Sequence, residues 1–174
     1  MWDFFETVRH RHSIRAYQTD MAVESEKLHA ILETACSAPS AGHVQPYQII
    51  VITDADKRNA LAAAAINQEF IAQAPVCLAF CADPSLSEEK FGGRGRDLYA
   101  IQDTTIAAAY AQLAIVAAGM GSTWVGYFDE QKVREILNVG DNLTPIAMLS
   151  LGYPAELPEP TPRRKMSEIV RNLD

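Results

Sequence analysis

The chain has 174 residues, 48% of them apolar, which is the size and composition of a single soluble globular domain spanning residues 1–174. Its net charge of −7 argues against a nucleic-acid-binding protein, which normally presents a broad basic face. The three cysteines, Cys36, Cys77 and Cys81, follow no disulfide or metal-ligand spacing, so we expect free thiols and a reducing cytoplasm.

In the first half of the chain, helical and extended patterns alternate. Apolar residues spaced three and four apart indicate amphipathic helices, whereas β-branched and continuous apolar runs indicate strands. Asp54 follows one such run and is a typical N-cap residue for the helix after it. We therefore predict helices at residues 2–12, 24–37, 57–65 and 67–73, and strands at residues 48–53 and 76–82.

The second half opens on Phe91–Arg96, a basic segment rich in glycine. It lacks the Lys-Ser/Thr ending of a phosphate-binding P-loop. Two interpretations therefore remain: a mobile loop over a pocket, or a plain surface connector. The 25 residues Thr104–Phe128 carry no charge and are long enough to span a bilayer. Their glycines and polar residues instead favour a helix in the core or at a subunit interface, so we expect no membrane span. The predicted elements are helices at 97–118 and 130–137, the second with Asp129 as its N-cap, and strands at 123–127 and 145–151.

Four prolines after Gly152 predict an extended C-terminal tail that carries the basic cluster Arg163–Lys165 to a distant point of the molecule. The strands and helices before it alternate, but their connections are irregular. We therefore predict an α+β fold with a central mixed sheet and helices on both faces.

Basic side chains cluster at both ends of this acidic chain. Ser13 and Arg15 point to one side if residues 13–17 are extended, and guanidinium groups bind phosphate in a bidentate manner. The turn Pro39–Gly42 has small residues that let a flat ligand approach the backbone. Taken alone, the first cluster is also typical of a solvated turn, and the second of an ordinary helix–strand loop.

Side-chain catalysis has no obvious candidates in this sequence. We find no Ser–His–Asp arrangement, no paired catalytic carboxylates and no context for a cysteine nucleophile, and the four histidines show no metal-ligand spacing. If the protein is an enzyme, an organic cofactor is expected to carry the chemistry.

Four motifs, in order along nearly the whole chain, resemble those of the nitroreductase family of FMN-dependent oxidoreductases. They are Arg11-His12-Ser13-x-Arg15, Pro39-Ser40-Ala41-Gly42-His43-Val44-Gln45-Pro46-Tyr47, Gly119-x-Gly121-x-x-Trp124-Val125-Gly126, and Leu151-Gly152-Tyr153-Pro154 followed by Arg164-Lys165. Three positions depart from the family pattern: Ala41 replaces a frequent Ser, His43 a frequent Asn and Tyr47 a frequent Trp. We expect these departures to change flavin contacts or the shape of the substrate site.

The resemblance implies a nitroreductase-like fold and an intertwined homodimer, with two FMN molecules at the interface and the extended tail wrapped around the partner. NADH or NADPH would pass hydride to flavin N5, and a small-molecule acceptor such as a nitro compound or a quinone would take it in a ping-pong scheme. The N–H group of Gly126 is expected near N5 and Arg15 near N1 and O2, while Pro39 and Ser40 approach from the other subunit. The implied cofactor-binding residues are Arg11, His12, Ser13, Arg15, Pro39, Ser40, His43, Gln68, Trp124, Val125, Gly126, Arg164 and Lys165.

Other functions stay open at this point. One is specialised flavin chemistry within the family, such as reductive dehalogenation or flavin breakdown, for which the short segment Leu86–Arg96 is the candidate lid. Another is a flavin-binding protein without turnover, and a third is a domain of the same class without any cofactor.

Overall fold

The computed structural model describes residues 3–173, so Trp2, within the first predicted helix, lies outside the described residues. Four strands and seven α-helices are described, and most lie within a few residues of their predicted positions. The strands are β1 (Tyr47–Ile52), β2 (Val76–Ala82), β3 (Gly121–Val125) and β4 (Thr144–Gly152). The helices are α1 (Phe4–His10), α2 (Ser25–Cys36), α3 (Ala55–Ala64), α4 (Phe70–Gln73), α5 (Pro84–Arg94), α6 (Ala100–Ala117) and α7 (Glu130–Leu137).

The four strands form one sheet in the order β1-β2-β4-β3, and each pair of neighbours is antiparallel. The predicted mixed sheet is therefore wrong. Alternation of strands and helices is typical of parallel units, but here α3 and α4 return the chain to the end of the sheet at which β1 finishes, so β2 runs in the opposite direction. Among the described residues, parallel pairing is limited to a single bridge between Ser13 and Ser122.

Helices cover both faces of the sheet, as predicted. One face packs against α2 and α6 and buries Phe80 and Leu149, and the other packs against α3, α4 and α7 and buries Ala79 and Met148. Because β2 lies inside the sheet and between these layers, all of its residues are buried. Cys77 and Cys81 lie on the same side of β2, in the core formed with α3, α4 and α7.

Aspartate side chains cap the N-termini of several helices. Asp54 accepts a hydrogen bond from the N–H of Lys57 (2.9 Å) and Asp129 one from that of Lys132 (3.1 Å), which confirms both predicted caps. Each carboxylate accepts from a backbone N–H group that the helix leaves unpaired, and its negative charge interacts favourably with the positive end of the helix dipole.

The glycine-rich segment Phe91–Arg96 is helical on both sides of a kink at Gly92, whose φ of 61° and ψ of −151° are not helical, so neither predicted form describes it. It completes α5 and enters a five-residue π-helical segment, Gly95–Tyr99, that leads directly into α6. Glycine is required because a Cβ at Gly95 would lie 2.1 Å from the carbonyl oxygen of Ser87. The glycines here allow α5 to fold back against the π-helical segment.

The chain after β4 returns to the N-terminal segment. The N–H of Gln18 donates to Tyr153 O (2.9 Å), and the N–H of Ala155 donates to Ala16 O (2.9 Å). Beyond these pairs the tail is mostly exposed, with one short 3-10 turn at Met166–Glu168. None of the helices described between residues 3 and 173 has the length and apolar character needed to cross a bilayer.

Candidate functional site

The segment Ser13–Arg15 lies along the edge strand β3. The N–H of Ile14 donates to Ser122 O (3.1 Å), and the hydroxyl of Thr123 donates to Ile14 O. This approach needs glycine at position 121, where a Cβ would lie 2.3 Å from Cγ1 of Ile14. The arrangement places the first motif beside the third one, as a shared site requires.

Glu156 fixes the backbone of this segment from the other side. Its carboxylate accepts hydrogen bonds from the N–H groups of Arg15 (2.5 Å) and Ala16 (3.1 Å). The Arg15 side chain remains exposed, and its guanidinium carbon lies 5.9 Å from the centre of the Phe70 ring. Sequence reasoning missed Glu156, because nothing in a Pro-rich tail marks one carboxylate as a backbone partner.

Gln68 lies next to the chain that leaves β3. Its side-chain amide donates to Ala65 O (2.8 Å) and to Tyr127 O (3.4 Å). Gly126 is exposed, and Tyr127 keeps 75% of its surface exposed. Gln68 therefore lies beside the chain that leaves β3, and Phe70, which Arg15 approaches, is two residues further along the chain from Gln68.

A pair of like charges lies beside this surface. The pKa of Arg11 is lowered, first by the burial of its side chain and then by the positive charge of Arg163. Arg164 instead forms an ion pair with Glu168 (3.4 Å), and Lys165 is exposed. The tail cation whose charge acts on Arg11 is thus Arg163, which the predicted set of binding residues did not include.

The loop before β1 has an unusual backbone. Gly42, His43 and Gln45 have left-handed φ angles of 56°, 58° and 50°, and the last two lack the freedom of glycine. The hydroxyl of Ser40 accepts a hydrogen bond from the N–H of Gln45 (3.1 Å). Glycine is favoured at position 42 because any side chain is strained at this φ, and a Cβ there would also lie 2.8 Å from Cζ of Phe91.

This loop and the surface at β3 lie at opposite edges of the sheet. Because β2 and β4 separate β1 from β3, the two edges are about 14 Å apart at the usual strand spacing. One protomer brings together Arg11, His12, Ser13, Arg15, Gln68, Trp124, Val125 and Gly126. It leaves Pro39, Ser40 and His43 at the other edge, where they are partly to largely exposed.

Comparison with known proteins identifies the family of this chain. A family model described as the Nitroreductase family matches residues 8–68 and 61–153. A protein of Thermus thermophilus named NADH dehydrogenase is 32% identical, and the alignment covers 92% of this chain and 91% of that protein. A protein of Bacillus subtilis named FMN reductase (NADPH) is 29% identical, with 91% of this chain and 68% of that protein covered.

The fold is shared with solved structures. The NADPH:FMN oxidoreductase from Vibrio harveyi, solved in complex with NAD+, matches with a TM-score of 0.89 and 26% identity over 98% of this chain and 77% of that one. The family expected from the four motifs is thereby confirmed, since the family model spans most of the chain and the fold agrees over almost its full length. On this evidence the chain belongs to the nitroreductase family.

Proposed function

We propose that this protein is an FMN-dependent oxidoreductase that passes hydride from NAD(P)H to nitroaromatic, quinone or related acceptors. The observation that carries the proposal is the surface at β3, where exposed Gly126, the amide of Gln68 and the guanidinium of Arg15 lie around one open area. The relatives named FMN reductase (NADPH) and NADPH:FMN oxidoreductase support both the cofactor and the electron donor.

The residues present fit FMN. The positive charge of Arg163 helps to lower the pKa of Arg11, and neither residue forms an ion pair with a carboxylate of residues 3–173. A phosphate group would relieve this repulsion and accept hydrogen bonds from both guanidinium groups. We assign the phosphate to Arg11, His12, Ser13 and Arg163, with Arg164 and Lys165 nearby on the tail.

Bound FMN supplies the hydride chemistry, and the protein needs no side-chain acid for it. We assign Arg15 to the N1 and O2 edge, where its positive charge stabilises the negative charge that develops there. The N–H group of Gly126 is assigned to N5, and its exposure leaves room for a donor or an acceptor at that atom. Since the same place serves both, we expect ping-pong kinetics.

A homodimer completes this site. Helices α1, α2 and α6 border an apolar groove of about 650 Å³, lined by residues that include Phe4, Ile31 and Leu113. Such a groove and the exposed apolar residues of the tail, Leu157, Met166, Ile169, Val170 and Leu173, are typical of a surface that another chain covers. We propose that a second copy covers it and brings the loop Pro39–His43 to the β3 surface. Sedimentation velocity decides the oligomeric state, and a monomer at all concentrations would refute this part.

The alternative of specialised flavin chemistry depends on the position of the candidate lid, Leu86–Arg96. Leu86–Arg96 is part of the hairpin formed by α5 and the π-helical segment, and it packs against the loop before β1, with Lys90 Nζ donating to Gly42 O (2.7 Å). This contact attaches the segment to the loop before β1, so in the proposed homodimer it would reach the partner's β3 surface together with that loop.

An absorption spectrum tests the proposed function directly. The purified protein is mixed with FMN, passed through gel filtration, and titrated with NADH and then NADPH without oxygen. We expect retained flavin bands that bleach with at least one nucleotide and recover when a nitroaromatic compound or a quinone is added. A colourless protein contradicts the proposal, and a yellow protein that neither nucleotide reduces favours a binding role without turnover.

A further inference from the structure

Asp103 is the one charged residue in α6, and it is buried, with only 3% of its surface exposed. Both of its carboxylate oxygens lie 3.1 Å from the backbone nitrogen of Ala41, in the loop before β1. It forms no ion pair with any cation of residues 3–173. The contact therefore joins the core of the long helix to the loop that carries the second motif.

Burial destabilises the charged form of the Asp103 carboxyl group. Removing it from water raises the pKa of Asp103, and the N–H group of Ala41 offsets only part of that effect. The phenol of Tyr47 lies close enough for the Asp103 charge to contribute to the raised pKa of Tyr47, after the larger effect of burial. An apolar side chain would pack in this helix at lower free energy, so the contact with the loop is what distinguishes aspartate here.

The loop needs such a contact because its backbone is strained. A left-handed conformation costs about 1–2 kcal/mol at a residue other than glycine, and both His43 and Gln45 adopt it. Strain of this kind persists only where surrounding groups hold it. Asp103 holds the N–H of Ala41 from α6, and Lys90 holds the carbonyl of Gly42 from α5 (2.7 Å).

We propose that Asp103 is a positioning residue for the flavin site, and that its carboxylate fixes the backbone at Ala41 so that Ser40 and His43 are presented in one conformation. The inference rests on the proposed function, in which this loop contacts the flavin bound mainly by the second copy. Asp103 itself touches no substrate and no cofactor. Its effect reaches the site through the left-handed turn that follows Ala41.

The test compares Asp103→Ala with Asp103→Asn, because the asparagine side chain keeps an oxygen that accepts from Ala41. Amide hydrogen exchange at residues 40–45 is measured by NMR on the protein as purified, and the FMN dissociation constant by fluorescence titration. Loss of a hydrogen bond to a charged group predicts about tenfold faster exchange at Ala41 and about tenfold weaker FMN binding in Asp103→Ala. Asp103→Asn is expected to restore both values to within about threefold of wild type.

Thr104→Val is the matched control. The Thr104 hydroxyl is buried in the next position of α6, and its hydrogen bond goes to Ala100 O of the same helix segment (2.6 Å). This variant is expected to lower the melting temperature without changing exchange at residues 40–45 or FMN affinity. If Asp103→Ala does not fold, Asp103→Val takes its place, because it fills the space and also lacks an acceptor.

The outcomes separate the two claims. Unchanged exchange at Ala41, or unchanged FMN affinity, in a folded Asp103 variant without an acceptor overturns the positioning role. An equal loss of affinity in Thr104→Val does so as well, because the effect would then come from the helix in general. A wild-type protein that binds no FMN overturns the proposed function, and the exchange data still decide whether Asp103 holds the loop.

Discussion

Arg11 and Arg163 come from opposite ends of the chain and lie close enough for the charge of Arg163 to add to the effect of burial in lowering the pKa of Arg11. Two cations are held together in this way only at a free-energy cost. Neither arginine forms an ion pair with a carboxylate of residues 3–173. A bound anion such as a phosphate group would therefore offset the repulsion between them.

Arg163→Ala is expected to weaken FMN binding by about tenfold, since it removes one charged donor to the phosphate. Arg164→Ala is expected to have a smaller effect, because Glu168 already accepts from that guanidinium. Fluorescence titration with FMN measures both. Lys132→Ala is the control for lost positive charge, since Lys132 lies on α7 in an exposed ion pair with Asp129 (3.3 Å). Equal affinities for Arg163→Ala and Lys132→Ala would contradict the assignment.

Arg15→Ala is expected to slow reduction by NAD(P)H and to loosen FMN, because it removes the cation proposed near N1 and O2. A tenfold to hundredfold loss corresponds to about 1.5–3 kcal/mol, the usual range for a hydrogen bond to a charged group. Arg15→Lys keeps the charge, and its rate of reduction and FMN affinity are expected to lie between those of Arg15→Ala and the wild type. Rapid-mixing measurements of flavin bleaching provide the rates. A rate and a flavin content equal to those of the wild type in Arg15→Ala would remove this role from Arg15.

Local patterns predicted the local features well. Asp54 and Asp129 were identified as caps because a helix begins within a few residues of each, and the continuous apolar run of β2 matches a strand buried on both faces. The first and third family motifs, each a short stretch of sequence, lie side by side along β3. Residue spacing carries this information without any knowledge of tertiary contacts.

Tertiary contacts account for what the sequence did not predict. Glycine content alone indicated a loop at Phe91–Arg96, but Gly95 is glycine because the Ser87 carbonyl approaches it within a packed helical hairpin. Likewise, Arg163, Arg164 and Lys165 are equivalent as a basic run, and only the folded tail shows which one faces Arg11. Asp103 was visible only as the last charge before a long uncharged stretch.

The buried thiols give a prediction that depends on pKa. Burial raises the pKa of Cys77 to about 12 and that of Cys81 to about 11, so their reactive thiolate forms are negligible at neutral pH. With a thiol reagent at about pH 8, we expect no more than one group, the exposed Cys36, to react in the native protein, and all three to react in denaturant. Rapid native labelling of two or three thiols would contradict the buried positions of Cys77 and Cys81.

Gly121→Ala tests the contact that positions the first motif against β3. The added Cβ would lie 2.3 Å from Cγ1 and 2.9 Å from Cβ of Ile14, so the segment Ser13–Arg15 must move away from the strand. Overpacking of this kind costs about 1–3 kcal/mol, and the displaced Arg15 is expected to bind flavin less well.

Thermal unfolding and the flavin retained after gel filtration measure the two effects. Gly93→Ala is the matched control, because its Cβ would meet nothing closer than 3.7 Å and alanine favours helix. We expect Gly93→Ala to be at least as stable as wild type and fully yellow, and Gly121→Ala to lose both stability and flavin. If Gly121→Ala loses stability but keeps wild-type FMN affinity, the segment along β3 supports the fold without forming the cofactor site.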